Sequence, residues 1–158
     1  MPIVRINYAS PNALPADVLR INGPVIMIDV EPAGVVQSFA QSRGITLNNI
    51  RNVIALIDTG ASITSIDKNV LNQLGYPPYG TVNLATASGQ VTVPLYLVRL
   101  ILFSNVPDVR ARIELDNVTV AAVDLSAQQY KALIGRDILR NILLIYDGGV
   151  AGQITITY

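Results

Sequence analysis

Ala55-Leu56-Ile57-Asp58-Thr59-Gly60-Ala61-Ser62 sets a carboxylate at the end of an apolar run and follows it with a hydroxyl and a glycine. Val53 to Ile57 has the β-branched and aliphatic content of a buried strand, so buried backbone holds Asp58 where the chain leaves that strand. Gly60 permits a tight turn with close approach of another backbone, and the Thr59 hydroxyl can bond to main chain. One carboxylate so placed has little to do alone. Two brought together cannot both ionise and would share one proton, which makes an acid/base pair. The same three residues also suit an ordinary turn after a strand, because Asp and Gly favour turns.

The rest of the chain reads as short β-branched and aliphatic runs separated by Gly, Pro, Asn and Asp, the pattern of an all-β domain. Val25 to Val30 is a strand ending at Glu31-Pro32, and Ala33 to Asn49, polar and punctuated by glycine, reads as a loop. Ile63 to Ile66 is a short strand, after which Asp67 caps a helix over Lys68 to Leu74 that Gly75 stops. Val82, Leu84 and Thr86 alternate with small polar residues, Ala87-Ser88-Gly89 turns, and Val91, Val93 and Leu95 alternate again, which is a hairpin. Leu97 to Phe103 and Val109 to Leu115 are further strands, with a turn at Asp116-Asn117 before Val118 to Leu125. Tyr130 to Ile134 leads to Gly135, and Arg136 to Arg140 has helical composition, with Asp137 in the first turn where negative charge suits the helix dipole. Leu143 to Tyr146, the turn Asp147-Gly148-Gly149 and Gln153 to Tyr158 close the chain as a hairpin. Helix has room for one or two short segments.

Composition narrows the chemistry. With 158 residues, of which 51% are apolar, the chain fits one globular domain. Only 14% are charged, against about 25% in an ordinary soluble domain, so much of the surface is expected to be hidden in a core or against another chain. Eleven basic and eleven acidic residues cancel and form no patch, which argues against nucleic acid as a partner. There is no His and no Cys, so the commonest zinc and iron ligands and the His-dependent Ser and Cys triads are excluded. Catalysis would run on carboxylates, Lys, Tyr, Ser or Thr, and no metal or cofactor is expected. Pro2, Pro11 and Pro15 break the N-terminal stretch, and Val93 to Phe103 is interrupted by Pro94 and Arg99 and falls short of the roughly 18 residues a span needs. Neither a signal peptide nor a membrane segment is visible, so a soluble chain is the expectation; the compartment is left open, with the cytoplasm favoured.

The segment around Asp58 resembles the aspartic proteases, whose signature is two hydrophobic residues, Asp, Thr or Ser, Gly, then Ala or Ser. Ala132-Leu133-Ile134-Gly135-Arg136-Asp137-Ile138-Leu139 is similar to the hydrophobic-hydrophobic-Gly segment that follows the catalytic motif in that family, and the hairpin between the two stands where the family has its flap. The resemblance covers residues 24–158 and leaves 1–23 as an N-terminal extension. Only one Asp-Thr-Gly is present, and Asp147-Gly148-Gly149 lacks the hydroxyl, so the chain resembles a retropepsin rather than a two-lobed pepsin.

That resemblance implies a closed, barrel-like acid-protease lobe and a symmetric homodimer in which each copy donates one Asp58. It implies an aspartic endopeptidase in which Asp58, Thr59 and Gly60 form the catalytic loop, with Thr59 cross-bracing the two loops and Gly60 accepting substrate backbone. Ala61 and Ser62 would line the cleft. Ala87, Ser88 and Gly89 would be the flap tip, although a plain β-turn explains them equally. Gly135 would let two strands cross closely, and Arg136 would brace a loop. Retroviral enzymes carry an Asp where this chain has Ser62, which leaves the partner of Arg136 open. Asp137 reads as a helix-start residue rather than a catalyst, and Asp147 as a turn residue. Gln153 to Tyr158 is the expected dimer strand, offered as an open edge. The alternative is a catalytically weak retropepsin-fold module that binds or dimerises, and behind it a generic β-barrel binding domain.

Overall fold

The computed structural model describes residues 2–86, 89–106 and 111–158. Ala87, Ser88 and Val109 therefore lie outside the described residues. Seven strands form the main sheet: β2 (Val25–Pro32), β3 (Ile50–Ile57), β4 (Ser65–Asp67), β5 (Gly80–Thr86), β6 (Gly89–Phe103), β7 (Arg112–Val123) and β8 (Ala132–Ile134). Their order is β2-β3-β8-β4-β7-β6-β5, and β6 also pairs with β2, so six strands close into a barrel and β5 stays outside as one arm of a hairpin. Closure removes the exposed edges that an open sheet of this size would carry.

Alternation explains the ring. Ile26, Ile28 and Val30 of β2 are buried, as are Val53, Ala55 and Ile57 of β3, and both sets point into the barrel with Leu100, Ile113 and Val120. Strand β6 shows the architecture along its length. Gly89 to Leu95 pairs with β5 and is mostly exposed, whereas Leu95 to Phe103 pairs with β7 and is mostly buried. The hairpin arm and the barrel strand, expected as separate elements, are therefore one.

Three expectations are corrected. Ala33 to Asn49 contains a helix, α2 (Gly34–Ser42), which accommodates its serines by back-bonding: Ser38 Oγ donates to Gly34 O at 2.9 Å and Ser42 Oγ to Phe39 O at 2.8 Å. Buried Ala33 and Ala40 seat it. Asp116-Asn117 is a bulge inside β7 rather than a turn between strands. The register against β6 shifts there and Asn117 takes φ +55°. Asp116 Oδ1 accepts from both Asn117 N and Gly34 N, so the bulge also anchors the start of α2.

The third correction concerns the chain ends. Strands β1 (Ile3–Asn7), β9 (Leu143–Asp147) and β10 (Gln153–Thr157) form a second sheet in the order β1-β10-β9. Gln153 to Thr157 is thus the middle strand, with both its edges occupied within the chain. Val4, Ile6, Ile154 and Ile156 turn its inner face into the core. Helix α1 (Pro15–Asn22) starts on a proline, ends at Gly23 with φ +71° and buries Leu19. It lies so close to the last turn that a Cβ on Gly152 would stand 2.2 Å from the Pro15 carbonyl carbon. Two further helices, α3 (Lys68–Asn72), capped through Asp67 as expected, and α4 (Arg136–Leu139), are a turn or so each. Among the described residues no helix is long and apolar enough to cross a membrane.

Candidate active site

Asp58 leaves β3 at the point where that strand runs parallel to β8, with Ile57 opposite Ile134. Its N–H donates to Ile134 O at 3.0 Å, which fixes the backbone, and the side chain then turns back on itself, with Oδ1 accepting from Gly60 N at 2.8 Å. Ala61 N closes the turn on Asp58 O at 3.2 Å. Asp58 is half-buried, while Thr59, Gly60 and Ser62 are exposed. Asp58 Oδ2 and the Thr59 hydroxyl have no hydrogen-bond partner among the described residues.

The segment after β8 holds this loop from behind. Arg136 ties down three successive carbonyls: its N–H donates to Ala61 O at 2.9 Å, and its Nη1 donates to Thr59 O at 2.7 Å and Gly60 O at 3.1 Å. With Ser62 in place of a carboxylate, the guanidinium finds its partners in main-chain oxygens. A planar fork that donates in fixed directions is suited to this.

Beneath lies a buried crossing. A Cβ on Gly135 would meet the Ile63 carbonyl carbon at 2.7 Å and Thr64 N at 2.9 Å, so only glycine lets the two segments pass. Thr64 is fully buried. Its hydroxyl donates to Asp137 Oδ1 at 2.7 Å and accepts from Gly135 N at 3.0 Å, and its N–H reaches both Asp137 oxygens at 3.0 and 2.9 Å. Asp137 Oδ1 also accepts from Ile138 N at 2.9 Å, consistent with a helix-start residue that additionally locks the crossing. Thr64 was not singled out in the sequence. Its only mark in the sequence is that it and Ser65 are adjacent hydroxyls between Ile63 and Ile66, six residues after Asp58.

The structure thus brings Asp58, Thr59, Gly60 and Ala61 together with Gly135, Arg136 and Asp137, and leaves Ser62 exposed beside them. It does not bring Asp147 into the group, since that residue stays at the closing hairpin, where its Oδ1 accepts from Gly149 N. Of the expected flap tip only Gly89 is described, with φ +123° and its carbonyl bonded by Thr86 Oγ1 at 2.7 Å. Beneath the hairpin arms is a cleft of about 400 Å³ lined by Leu84, Val91 and Val93 on one side and Ala122 and Val123 on the other. Lys68 and Asp124 also line it, joined at 2.8 Å. The hydrogen bond from Lys68, with those from Ser126, holds the Asp124 carboxyl well below the usual carboxylate range. Among the described residues no three carboxylates approach closely enough to hold a metal ion.

Residues 44–141 match the family model described as "gag-polyprotein putative aspartyl protease". Among solved structures, the chain is similar to the solution structure of the simian foamy virus (mac) protease, at 17% identity and a TM-score of 0.40, over 73% of this chain and 91% of that one. A comparison with curated proteins gives no match.

Proposed function

The chain belongs to the gag-polyprotein aspartyl protease family, and from that premise we propose that it hydrolyses peptide bonds at a dyad made by Asp58 of two copies. The observation that carries this reading is a half-built site. One oxygen of Asp58 is held by Gly60 N–H, while its other oxygen and the Thr59 hydroxyl have no partner among the described residues, on a loop pinned by Ile134 and Arg136. A loop fixed so firmly yet unsatisfied on its open side suits a second copy of itself.

In the dimer the two carboxylates share one proton, because like charges so close cannot both ionise. The ionised Asp58 takes a proton from water as it attacks the scissile carbonyl, and the protonated one polarises the carbonyl oxygen. Each Thr59 hydroxyl braces the opposite loop, Gly60 accepts substrate backbone, and Ala61 and Ser62 line the cleft. The β5–β6 hairpin stands as the arm that closes over the peptide. Residues 24–158 carry this machinery, and 1–23 extend it.

Peptide cleavage measured against pH tests the proposal. Activity is expected to form a bell whose two apparent pKa values belong to the pair, to survive chelators and serine and cysteine traps, and to stop with statine peptides, which place a hydroxyl on a tetrahedral carbon between the carboxylates. Asp58→Asn is expected to abolish turnover with fold and dimer intact. Wild-type rates in that variant would sink the assignment and leave a binding module.

A further inference from the structure

The outward face of β3 leads from the Asp58 loop to a second cleft. Val53, Ala55 and Ile57 point into the barrel, so alternation turns Ile54 and Leu56 to the other face and continues to Asp58. Strand residues advance about 3.3 Å each, which puts Ile54 roughly 13 Å from Asp58 along that face. Between them Leu56 is half-buried and lies opposite Val25, and its Cδ1 would stand 3.1 Å from a Cβ on Gly23, where helix α1 ends.

At Ile54 the face opens into a cleft of about 560 Å³. Its lining comes from three places: Ile21 and Asn22 at the end of α1, Val25 and Ile54 of the paired strands, and Gln128 and Gln129 of the segment before β8. None of the described residues that line it is charged. Ile21 is 70% exposed and Ile54 41%, so apolar surface stands open to water on the strand that carries Asp58. The walls are fixed. Lys131 N–H donates to Ile54 O at 2.8 Å, and its ammonium donates to the carbonyls of Leu125 at 2.9 Å, Ser126 at 3.1 Å and Gln128 at 2.9 Å. On the other side Gly23 N–H ends α1 on Leu19 O at 2.9 Å, and Val25 O accepts from the Tyr8 hydroxyl at 2.7 Å. A cleft held in this way before anything enters it loses little entropy on binding.

We infer that this cleft is a substrate subsite that takes an uncharged aliphatic side chain about four residues from the scissile bond. The inference rests on the dyad reading above, which sets the bond that is cut at Asp58. An extended peptide advances by the same distance per residue as β3, so a chain that leaves the carboxylates along this face brings its fourth residue or so to Ile54. Ile21, Val25 and Ile54 bury an aliphatic side chain there. The amides of Asn22, Gln128 and Gln129 offer both donors and acceptors, which suits peptide backbone. A carboxylate or ammonium in the same place would lose water and meet no opposite charge. The cleft beneath the hairpin arms differs in this respect, because Lys68 and Asp124 line it. Ile21 and Asn22 thereby give the N-terminal extension a part in specificity.

A library of unselected peptides from a digested cell extract tests this without knowledge of the preferred cleavage site. Cuts are located by mass spectrometry, and only those absent with Asp58→Asn are counted. At about three to five residues from the cut, the wild type is expected to favour Leu, Ile or Val over Asp or Glu about tenfold. Ile21→Lys, at a position exposed enough to accept a charge, is expected to lower that ratio about tenfold by removing apolar surface and attracting acidic side chains. Gln129→Lys, on the segment before β8, is expected to lower it in the same direction, and decides the matter if Ile21→Lys fails to fold. Neither variant is expected to alter the preference for residues that flank the cut. Wild-type cuts without the distal preference, a preference unchanged in either folded variant, or an equal change at the flanking residues overturns the subsite while the dyad stands. A wild-type chain that makes no cut dependent on Asp58 overturns the dyad reading itself, and the subsite with it.

Discussion

Two turns in this molecule start from the same local chemistry. In Asp58-Thr59-Gly60 and in Asp147-Gly148-Gly149 the aspartate Oδ1 accepts the N–H two residues on, at 2.8 and 3.0 Å. In both, a Cβ on the glycine at the third position, Gly60 or Gly149, would lie 3.0 Å from that oxygen. They part company beyond the turn. The first sits at the exit of a buried strand, with its amide on Ile134 and three of its carbonyls on Arg136. The second joins two strands at the surface, with Asp147 exposed. An aspartate bent onto a glycine is a common turn device. What makes one of them a candidate catalyst is a frame assembled from residues more than seventy positions away.

The largest effect expected from that contrast is on turnover. Asp58→Asn keeps the turn, since an amide oxygen still accepts from Gly60, but it removes the base. Peptide cleavage is expected to fall by a factor of about 10³ or more. Asp147→Asn makes the same chemical change in the same kind of turn and is expected to leave the rate within about twofold, as surface substitutions away from special features usually do. Equal losses in both variants would mean that the frame around Asp58 confers nothing.

Next comes stability. Gly135→Ala drives a methyl into the Ile63 carbonyl and the Thr64 amide, backbone atoms that cannot move aside, and is expected to cost at least about 1–3 kcal/mol in urea denaturation. Gly149→Ala meets only the end of the Asp147 side chain and is expected to cost well under 1 kcal/mol.

The ease of reading these regions from sequence follows from how local their physics is. The strand ending at Asp58 and the Gly135-Arg136-Asp137 segment are contiguous patterns, and the barrel places them together. Thr64 is not legible because its partners stand at 135 and 137, and a threonine beside a serine between two isoleucines is ordinary strand composition. Helix α2 is not legible because the residues that seat it are two small alanines, Ala33 and Ala40, among polar neighbours, too weak an apolar stripe for hydropathy to register. Asp116-Asn117 has turn composition. It became a bulge because β6 runs unbroken opposite it and holds both halves of β7 in one ladder. The position of β10 depended on β1, 146 or more residues earlier, and no local pattern at Gln153 to Tyr158 reveals that both edges are filled.

A smaller effect should come from the clamp itself. Arg136→Met leaves the Thr59 and Gly60 carbonyls to water, so the Asp58 loop loses positional definition without losing its acid. Turnover is expected to drop about ten- to a hundredfold, since displacements of about 1 Å cost that much. Arg136→Lys, which keeps the charge but not the fork, should recover part of the loss. A fall in stability with unchanged kcat would make Arg136 a purely structural residue.

The smallest effect concerns how pH acts at the two ends of the comparison: on rate at Asp58, on stability near the closing hairpin. Tyr8 donates to Val25 O at 2.7 Å, and burial, with a smaller contribution from Tyr146 of β9, pushes its phenol well above the usual tyrosine range. A raised folded-state value means the folded chain holds that proton more tightly than the unfolded one. The resulting stability is complete below the unfolded value of about 10 and is lost as pH rises beyond it. Tyr76, whose hydroxyl donates to Leu97 O, is raised by burial in the same way and with the same sign. Urea midpoints are therefore expected to be level from neutral pH to about 10 and to decline above it. Tyr8→Phe should lower the neutral midpoint by the value of one hydrogen bond, about 1 kcal/mol, and make the alkaline decline shallower, with Tyr76 and Tyr96, both raised by burial, supplying the remainder. A decline as steep in Tyr8→Phe as in the wild type would show that Tyr8 ionises as freely in the folded chain as in the unfolded one, and that the end of the terminal sheet near the hairpin is open to water.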